Sequence, residues 1–554
     1  MRLINLGLVI SLPYAIRAAQ IPFETQSVPV LEPLGDLGQD SEWKNFSTGP
    51  DANGTSHLIF DTVNSLLQHW PNTRYRNGHN ILPGTVPVGT LLYHGRADSN
   101  VPTIPEWTTM DPEHSYPFCG GPAGKDSITG CWHLTLVATR PLKVLYLDGS
   151  SAANMKETLG PVYNSVHSLK ASEWRWTCGE IMLCDFKNGV ELLSADFLAA
   201  MWARHITPPL WRPEARSDPH SLDPTTPENK TSLISQLLRF ESVRGGSWHN
   251  AFPGETRISL DLTRLVSFYD TALVPSLVSY RTGKERWDHR LQNISSVDLT
   301  AVKTRLRAAF APDNVDPGSG VDWRTLYRVL VDRYADRLEM LEYLLNTTTT
   351  DNIDTRARTI QMQLRVMLTP YILYSARPAD DSAVSMAAED YAWAAPVWRG
   401  CATRHTAHIH ASPPLQSRLT ASERLLLNAL DETNREICRV VVRMWATGVH
   451  AELDALISPD EDDVPDSTAS KEGLSPEVLS RVVEKWQTSA SKLISWLDWS
   501  VWVNCRPACS FEEMCYLPTW PFFWDQIDDP ENECGEWKRP QPRCIRQFEP
   551  YSPL

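Results

Sequence analysis

The sequence predicts an α+β fold, on three observations. Between residues 83 and 200 lie short apolar or alternating runs bounded by Gly, Pro or charge (GTLLYHG, CWHLTLVA, PLKVLYLDG, EIMLCDF), which is the pattern of strands. Beyond residue 231 the apolar positions recur with the 3.6-residue period of helices. Five of the eleven cysteines crowd into the last fifty residues, which marks a disulfide-rich tail.

A chain of 554 residues exceeds what one hydrophobic core usually holds, so several domains are expected. Residues 1–19 place Arg2 before an apolar run of about ten residues and then Ala18 and Ala19, which reads as a secretory signal peptide, a buried strand being the other reading. Residues 20–82 form an N-terminal segment with one amphipathic helix, His57 to Trp70, stopped by Pro71. The strand-rich unit follows over 83–207. Residues 208–231, rich in Pro, Ser, Thr and Asp, read as a linker. A helical domain is expected over 232–460, from the periodic runs Leu233–Val243, Val302–Ala311, Trp323–Leu345, Thr355–Tyr374 and Ser422–Ile457. Residues 461–473 are an acidic loop, and 474–554 combine a helix, Pro476–Leu497, with the cysteine-rich tail.

With 42% hydrophobic and 21% charged residues the chain is ordinary globular material that can bury a core. A net charge of -15 argues against a nucleic-acid partner, because phosphate backbones reward clustered Lys and Arg. No later segment reaches the roughly 18 apolar residues of a membrane span. Sequons at Asn45, Asn53, Asn229, Asn293 and Asn346 fit a secreted or luminal glycoprotein.

Three segments, in order, carry chemistry. LLYHGR ends a strand on His94-Gly95, PEWTTMDPEHSYPF runs from Trp107 to Ser115 and Tyr116, and GEIMLCDF opens a strand on Glu180. Together they resemble the ADP-ribosyltransferase fold, in the His-Tyr-Glu branch of poly(ADP-ribose) polymerases and diphtheria-type toxins, over about a hundred residues. The resemblance implies a split sheet and a site that cleaves NAD through an oxocarbenium-like transition state. Glu180 would then be the catalytic carboxylate facing the ribose cation. His94 would bond a ribose hydroxyl, Tyr116 with Trp107 opposite would sandwich the nicotinamide, and Gly95 and Ser115 would hold its carboxamide. Arg96, where the family often has a small hydroxyl residue, would either meet the NAD phosphates or exclude NAD. NAD as substrate, a protein acceptor and secretion are the partners and place so implied. Each residue also has a plain structural reading: a satisfied histidine at a strand end, core aromatics, an edge charge paired with Lys187 or Arg175. A scaffold or binding protein that keeps the fold without catalysis is therefore the alternative function.

The remaining motifs are weaker. His405, His408 and His410 lack an acidic or cysteine partner nearby in sequence, and no metal site is expected. Asp148-Gly149-Ser150-Ser151 reads as a turn. CRPAC and CSFEEMC read as a disulfide knot rather than a zinc site, and Cys119 with Cys131 and Cys178 with Cys184 are suggested pairs whose connectivity the sequence does not fix.

Overall fold

The computed structural model describes residues 41–74, 78–96, 100–101, 107–119, 132–149, 180–184, 189–192, 201–207, 240–291, 293–311, 317–347, 352–373, 376, 391–454, 475–519 and 540–548, with the backbone alone over 180–207. The signal peptide, the linker, the acidic loop and Asn229 lie outside the described residues, as do Cys131, Cys178 and Cys534.

The strands are β1 (Asn80–Val86), β2 (Leu91–Arg96), β3 (Trp107–Thr109), β4 (Trp132–Ala138), β5 (Leu142–Leu147), β6 (Glu180–Cys184), β7 (Gly189–Leu192), β8 (Met201–Thr207), β9 (Ser259–Leu260) and β10 (Val266–Ser267). They form one mixed sheet in the order β10-β1-β5-β6-β7-β3-β2-β4-β8, with β9 also paired to β1. Only β5 and β6 run parallel among these pairings. Strand alternation then decides which side chains share a face. On β1 and β5, Leu82, Val86, Leu142, Val144 and Tyr146 enter one apolar core, while Ile81, Leu145 and Leu147 enter a second.

The helices are α1 (Ser41–Lys44), α2 (Ser56–Asn64), α3 (His69–Arg74), α4 (Ser276–Arg281), α5 (Ser296–Phe310), α6 (Trp323–Asn346), α7 (Ile353–Leu368), α8 (Ala395–Thr403), α9 (Ala407–His410), α10 (Pro413–Arg418), α11 (Ala421–His450) and α12 (Pro476–Leu497). Leu277 of α4 and Val302 and Leu306 of α5 cover the second core. The first core continues without a break from the sheet into α2, α6, α7, α8, α11 and α12, so the strand-rich and helical parts share one interior. Residues 259–267, C-terminal to the expected linker, supply β9 and β10 to the same sheet.

Local chemistry sets the helix ends. Asp322 caps α6 through Thr325 N–H at 3.1 Å. At α11, Thr420 and Glu423 form a capping box, and the fully buried Glu423 carboxylate also accepts from Ser319 N–H (3.1 Å) and Trp323 Nε1–H (3.0 Å), which joins the starts of α6 and α11. The expected helix over 57–70 is two helices: it breaks at Leu67, whose φ is 65°, and Leu67 N–H donates to Tyr146 Oη at 3.1 Å. Pro71 sits in the first turn of α3, where the lost N–H has no helical partner to forfeit. α11 stops at His450, short of Ile457, just before Glu452 turns to φ 50°.

Three disulfides occur among the described residues: Cys401–Cys438 inside the helical core, and Cys505–Cys515 and Cys509–Cys544 in the tail. The tail pairs tie the hairpin of β11 (Glu513–Tyr516) and β12 (Arg543–Arg546) to the end of the helical part. The Cys401–Cys438 pair links α8 to α11 and had no local signal in the sequence.

At the end of β5, Asp148 is 3% exposed and accepts from His79 N–H (2.6 Å), Asn80 N–H (2.6 Å) and Asn80 Nδ2 (2.7 Å). Gly78 permits that approach, since a Cβ there would lie 1.8 Å from the Asp148 carbonyl oxygen. Burial pushes the Asp148 carboxyl up to about 6, the hydrogen bonds from Asn80 and His79 and the Arg286 charge offsetting only part of it. A raised carboxyl binds its proton more tightly folded than unfolded. The contribution of this one carboxyl to stability is therefore expected to be largest below pH 3.8 and to fall by about 3 kcal/mol as pH rises through about 6. Urea midpoints of Asp148→Asn across that window should lose this contribution; a variant that keeps the full wild-type slope would contradict the assignment.

Candidate functional site

The alternation of β2 and β4 separates the residues singled out in the sequence. His94 is opposite Leu134, and with Leu92 and Leu136 it faces the apolar core, 4% exposed. Gly95 is opposite His133 on the other face. There Tyr93 and His133 stack with centroids 5.3 Å apart at 8°, and Tyr116 tilts over His133 at 6.0 Å. Ser115, fully buried in the turn Pro112–Cys119, donates its Oγ–H to the Pro112 carbonyl at 2.6 Å. Burial, then the charges of Glu113 and Glu241, raises the Tyr116 phenol, and burial lowers His133, which keeps both rings neutral near pH 7. Arg96 ends β2, half-buried, opposite Trp132. Among these, the structure groups Gly95, Ser115 and Tyr116 near one face and sends His94 to the opposite one.

Glu180 begins β6, paired with Lys143, and β6 lies three strands from β2. Through Thr108 and Val190, His94 is level with Leu183, so Glu180 is three residues further along. At about 3.3 Å per residue and 4.8 Å per strand, the two Cα positions are about 17 Å apart. The side chains of Glu180 and Trp107 lie outside the described residues.

A second constellation, unread in the sequence, is assembled beside this face. β3 leads into Asp111, and the loop 245–257 brings His249, Glu255 and Arg257 against it. Gly246, at φ 64°, starts the short turn Ser247–Asn250, and a Cβ on it would lie 2.6 Å from Asp111 Oδ2. His249 Nε2 lies 3.0 Å from Glu255 Oε2 and 3.4 Å from Asp111 Oδ2. Arg257 donates to Glu255 through Nε (2.7 Å) and Nη2 (2.5 Å), to the Met110 carbonyl through Nη1 (2.8 Å) and to Asp111 Oδ1 through Nη2 (3.2 Å). Asp111, His249 and Glu255 are all buried.

Burial works to neutralise each of these groups, and their mutual contacts outweigh it. Contacts with Asp111 and Glu255 carry His249 up to about 9, while Arg257 and His249 hold the Glu255 and Asp111 carboxyls below their ordinary values. Two carboxylates thus face an imidazolium and a guanidinium, and the cluster is neutral overall. The stretch GSWHNAFPGETR held the only sequence signal, three ionisable residues in a Gly- and Pro-punctuated segment without helical or strand period.

Two of the three histidines at 405–410 have polar partners from other elements. His405 Nε2 meets the Leu326 carbonyl at 2.9 Å, and His410 Nε2 meets Asp431 Oδ2 at 2.7 Å, an acidic partner that α11 supplies from twenty-one residues away. The cavity beside Asp148, lined by Thr62, Asn72, His79, Tyr269 and Arg286, holds ≈ 20 Å³, room for about one water and not for an organic substrate.

Comparison with known proteins places residues 41–132 in similarity with the YPL277C N-terminal domain. That span takes in β1 to β3, Asp111 and Tyr116, and stops before His249. The chain is 24% identical to the uncharacterized protein YOR389W of Saccharomyces cerevisiae, over 84% of this chain and 81% of that protein. It is 25% identical to the uncharacterized protein YPL277C of the same yeast, over 53% of this chain and 76% of that protein. No solved structure matches the chain.

Replacing the half-exposed Arg257 by Leu would leave two buried carboxylates with one countercharge. A loss of about 3 kcal/mol in urea unfolding is expected. A change below about 0.5 kcal/mol would mean that the guanidinium is not what holds the carboxylates.

Proposed function

We propose that the chain is a binding protein, which uses the Gly95 face of its sheet for a planar, nicotinamide-like ring and does not cleave NAD. One observation carries this reading: His94 and Tyr116 lie on opposite faces of β2, so a ligand stacked on Tyr116 is out of reach of the His94 imidazole. The estimated 17 Å between the His94 and Glu180 backbones supports it further. The aromatic set of Tyr93, His133 and Tyr116 beside Gly95 supplies flat apolar contact. An ADP-ribosyltransferase-like ancestry with lost catalysis accounts for the order of the three sequence segments.

The place of action is proposed to be the secretory route or beyond. Three disulfides support an oxidising compartment, and the described sequons Asn45, Asn53, Asn293 and Asn346 are all exposed. No helix among the described residues is long and apolar enough to cross a membrane.

Calorimetry with NAD and an assay of free nicotinamide test the proposal together. Binding by the full chain, weakened about tenfold in Tyr116→Ala, is expected, with no nicotinamide release by the wild type or by Glu180→Gln. Release by the wild type that disappears in Glu180→Gln would establish the enzyme instead. Absence of NAD binding would remove the nicotinamide-like ligand.

A further inference from the structure

We propose that Asp111, His249 and Glu255 form a site for one divalent first-row transition-metal ion, of which zinc is the convenient example. Asp111 Oδ2, His249 Nε2 and Glu255 Oε2 come from segments more than a hundred residues apart and converge within 4.8 Å of one another. Ligands held about 2.0–2.1 Å from an ion stand about 2.8–3.0 Å from each other at octahedral angles and about 3.3–3.4 Å at tetrahedral ones. The two ligand pairs here, at 3.0 and 3.4 Å, fall close to that spacing.

A second observation points to a ligand. Asp111 is 4% exposed, and its Oδ2 is met at long range, by His249 Nε2 at 3.4 Å and His114 Nδ1 at 3.9 Å, without a hydrogen bond of full strength. Buried carboxylate oxygens are rarely left so, because each loses its hydration without replacement. The demands on His249 Nε2 also conflict: two carboxylate oxygens face it as acceptors, while Trp248 Nε1–H and Arg257 Nη2, at 3.1 Å, approach it as donors. One ring nitrogen cannot serve both sets.

Arg257 Nη2 touches all three ligand residues, so the guanidinium stands where the ion would sit. Its side chain is 30% exposed and Trp248 is 64% exposed, so both can withdraw toward solvent. Arg257 is in this reading an internal cation that competes with the metal. One imidazole and two carboxylates, without thiolate, suit zinc, manganese, iron or cobalt better than a soft copper(I) ion, and the nitrogen disfavours calcium and magnesium. The inference does not depend on what binds the Tyr116 face.

The test is titration of the chelator-treated full chain with Zn2+ in a calorimeter, and with Co2+ by visible absorption. One equivalent of either ion is expected, with cobalt ligand-field bands. Asp111→Asn and His249→Ala should weaken binding at least tenfold, with folding checked by circular dichroism, and His410→Ala should leave it unchanged. Arg257→Gln should bind Zn2+ severalfold more tightly, and added Zn2+ should raise its melting temperature more than the wild type's. A gain of this kind cannot come from misfolding. No stoichiometric binding by the wild type, wild-type affinity in both ligand variants, or an Arg257→Gln chain with unchanged or weaker affinity would each overturn the site and leave a closed ion-pair network.

Discussion

One buried carboxylate on α2 joins the segment at Arg286 to the turn that follows α12. Asp61 is 1% exposed and accepts from Arg286 Nη1 at 2.6 Å, from Ser500 N–H at 2.8 Å and from Ser500 Oγ at 2.6 Å. Arg286 also donates to the Asp498 carbonyl at 3.2 Å, where α12 ends in a left-handed residue at φ 41°. Three stretches remote in sequence are thereby held to one side chain. A buried charge tolerates only arrangements that satisfy it, so the penalty for misplacing any of the three is several kcal/mol, order of magnitude. One turn earlier, His57 is carried down to about 3 by burial and then by the charges of Arg286 and His289, and as a neutral ring it lies tilted against Trp496, centroids 4.5 Å apart.

Burial of the shared apolar core divides the two faces of β2. Because Leu92, Leu134 and Leu136 belong to the apolar core that the helices also fill, His94 is buried on their side of β2. The opposite face is left to the turn at 112–119 and the loop at 245–257, segments whose side chains are placed by polar contacts and not by apolar burial. Polar groups collect there for the usual reason that loops can present polar atoms without forfeiting a core.

How much of this could be read beforehand follows from the range of each interaction. α6 begins at Trp323 after a capping Asp322, and α12 spans Pro476 to Leu497 as its period predicts, because helix signals are local. β2, β4 and β5 are legible from alternation for the same reason. Which face His94 occupies depends on register with Leu134 and on what covers that face, neither of which is local. Asp111 meeting His249 and Glu255 is less legible still, since the partners are some 140 residues apart and share no period. The Cys401–Cys438 bridge is hidden in the same way, between a short helix and the middle of a long one.

The return of residues 259–267 to the sheet bears on how the gene can be divided. β1 is paired by β5 on one side and by β9 and β10 on the other, and its inward residues lie under helices encoded hundreds of residues later. A fragment ending at residue 231 would carry the whole aromatic face yet present β1 as a bare, apolar edge, the kind of surface that recruits other strands. Recombinant pieces cut at the composition boundary therefore invite aggregation, and the smallest useful unit for expression runs past the last helix.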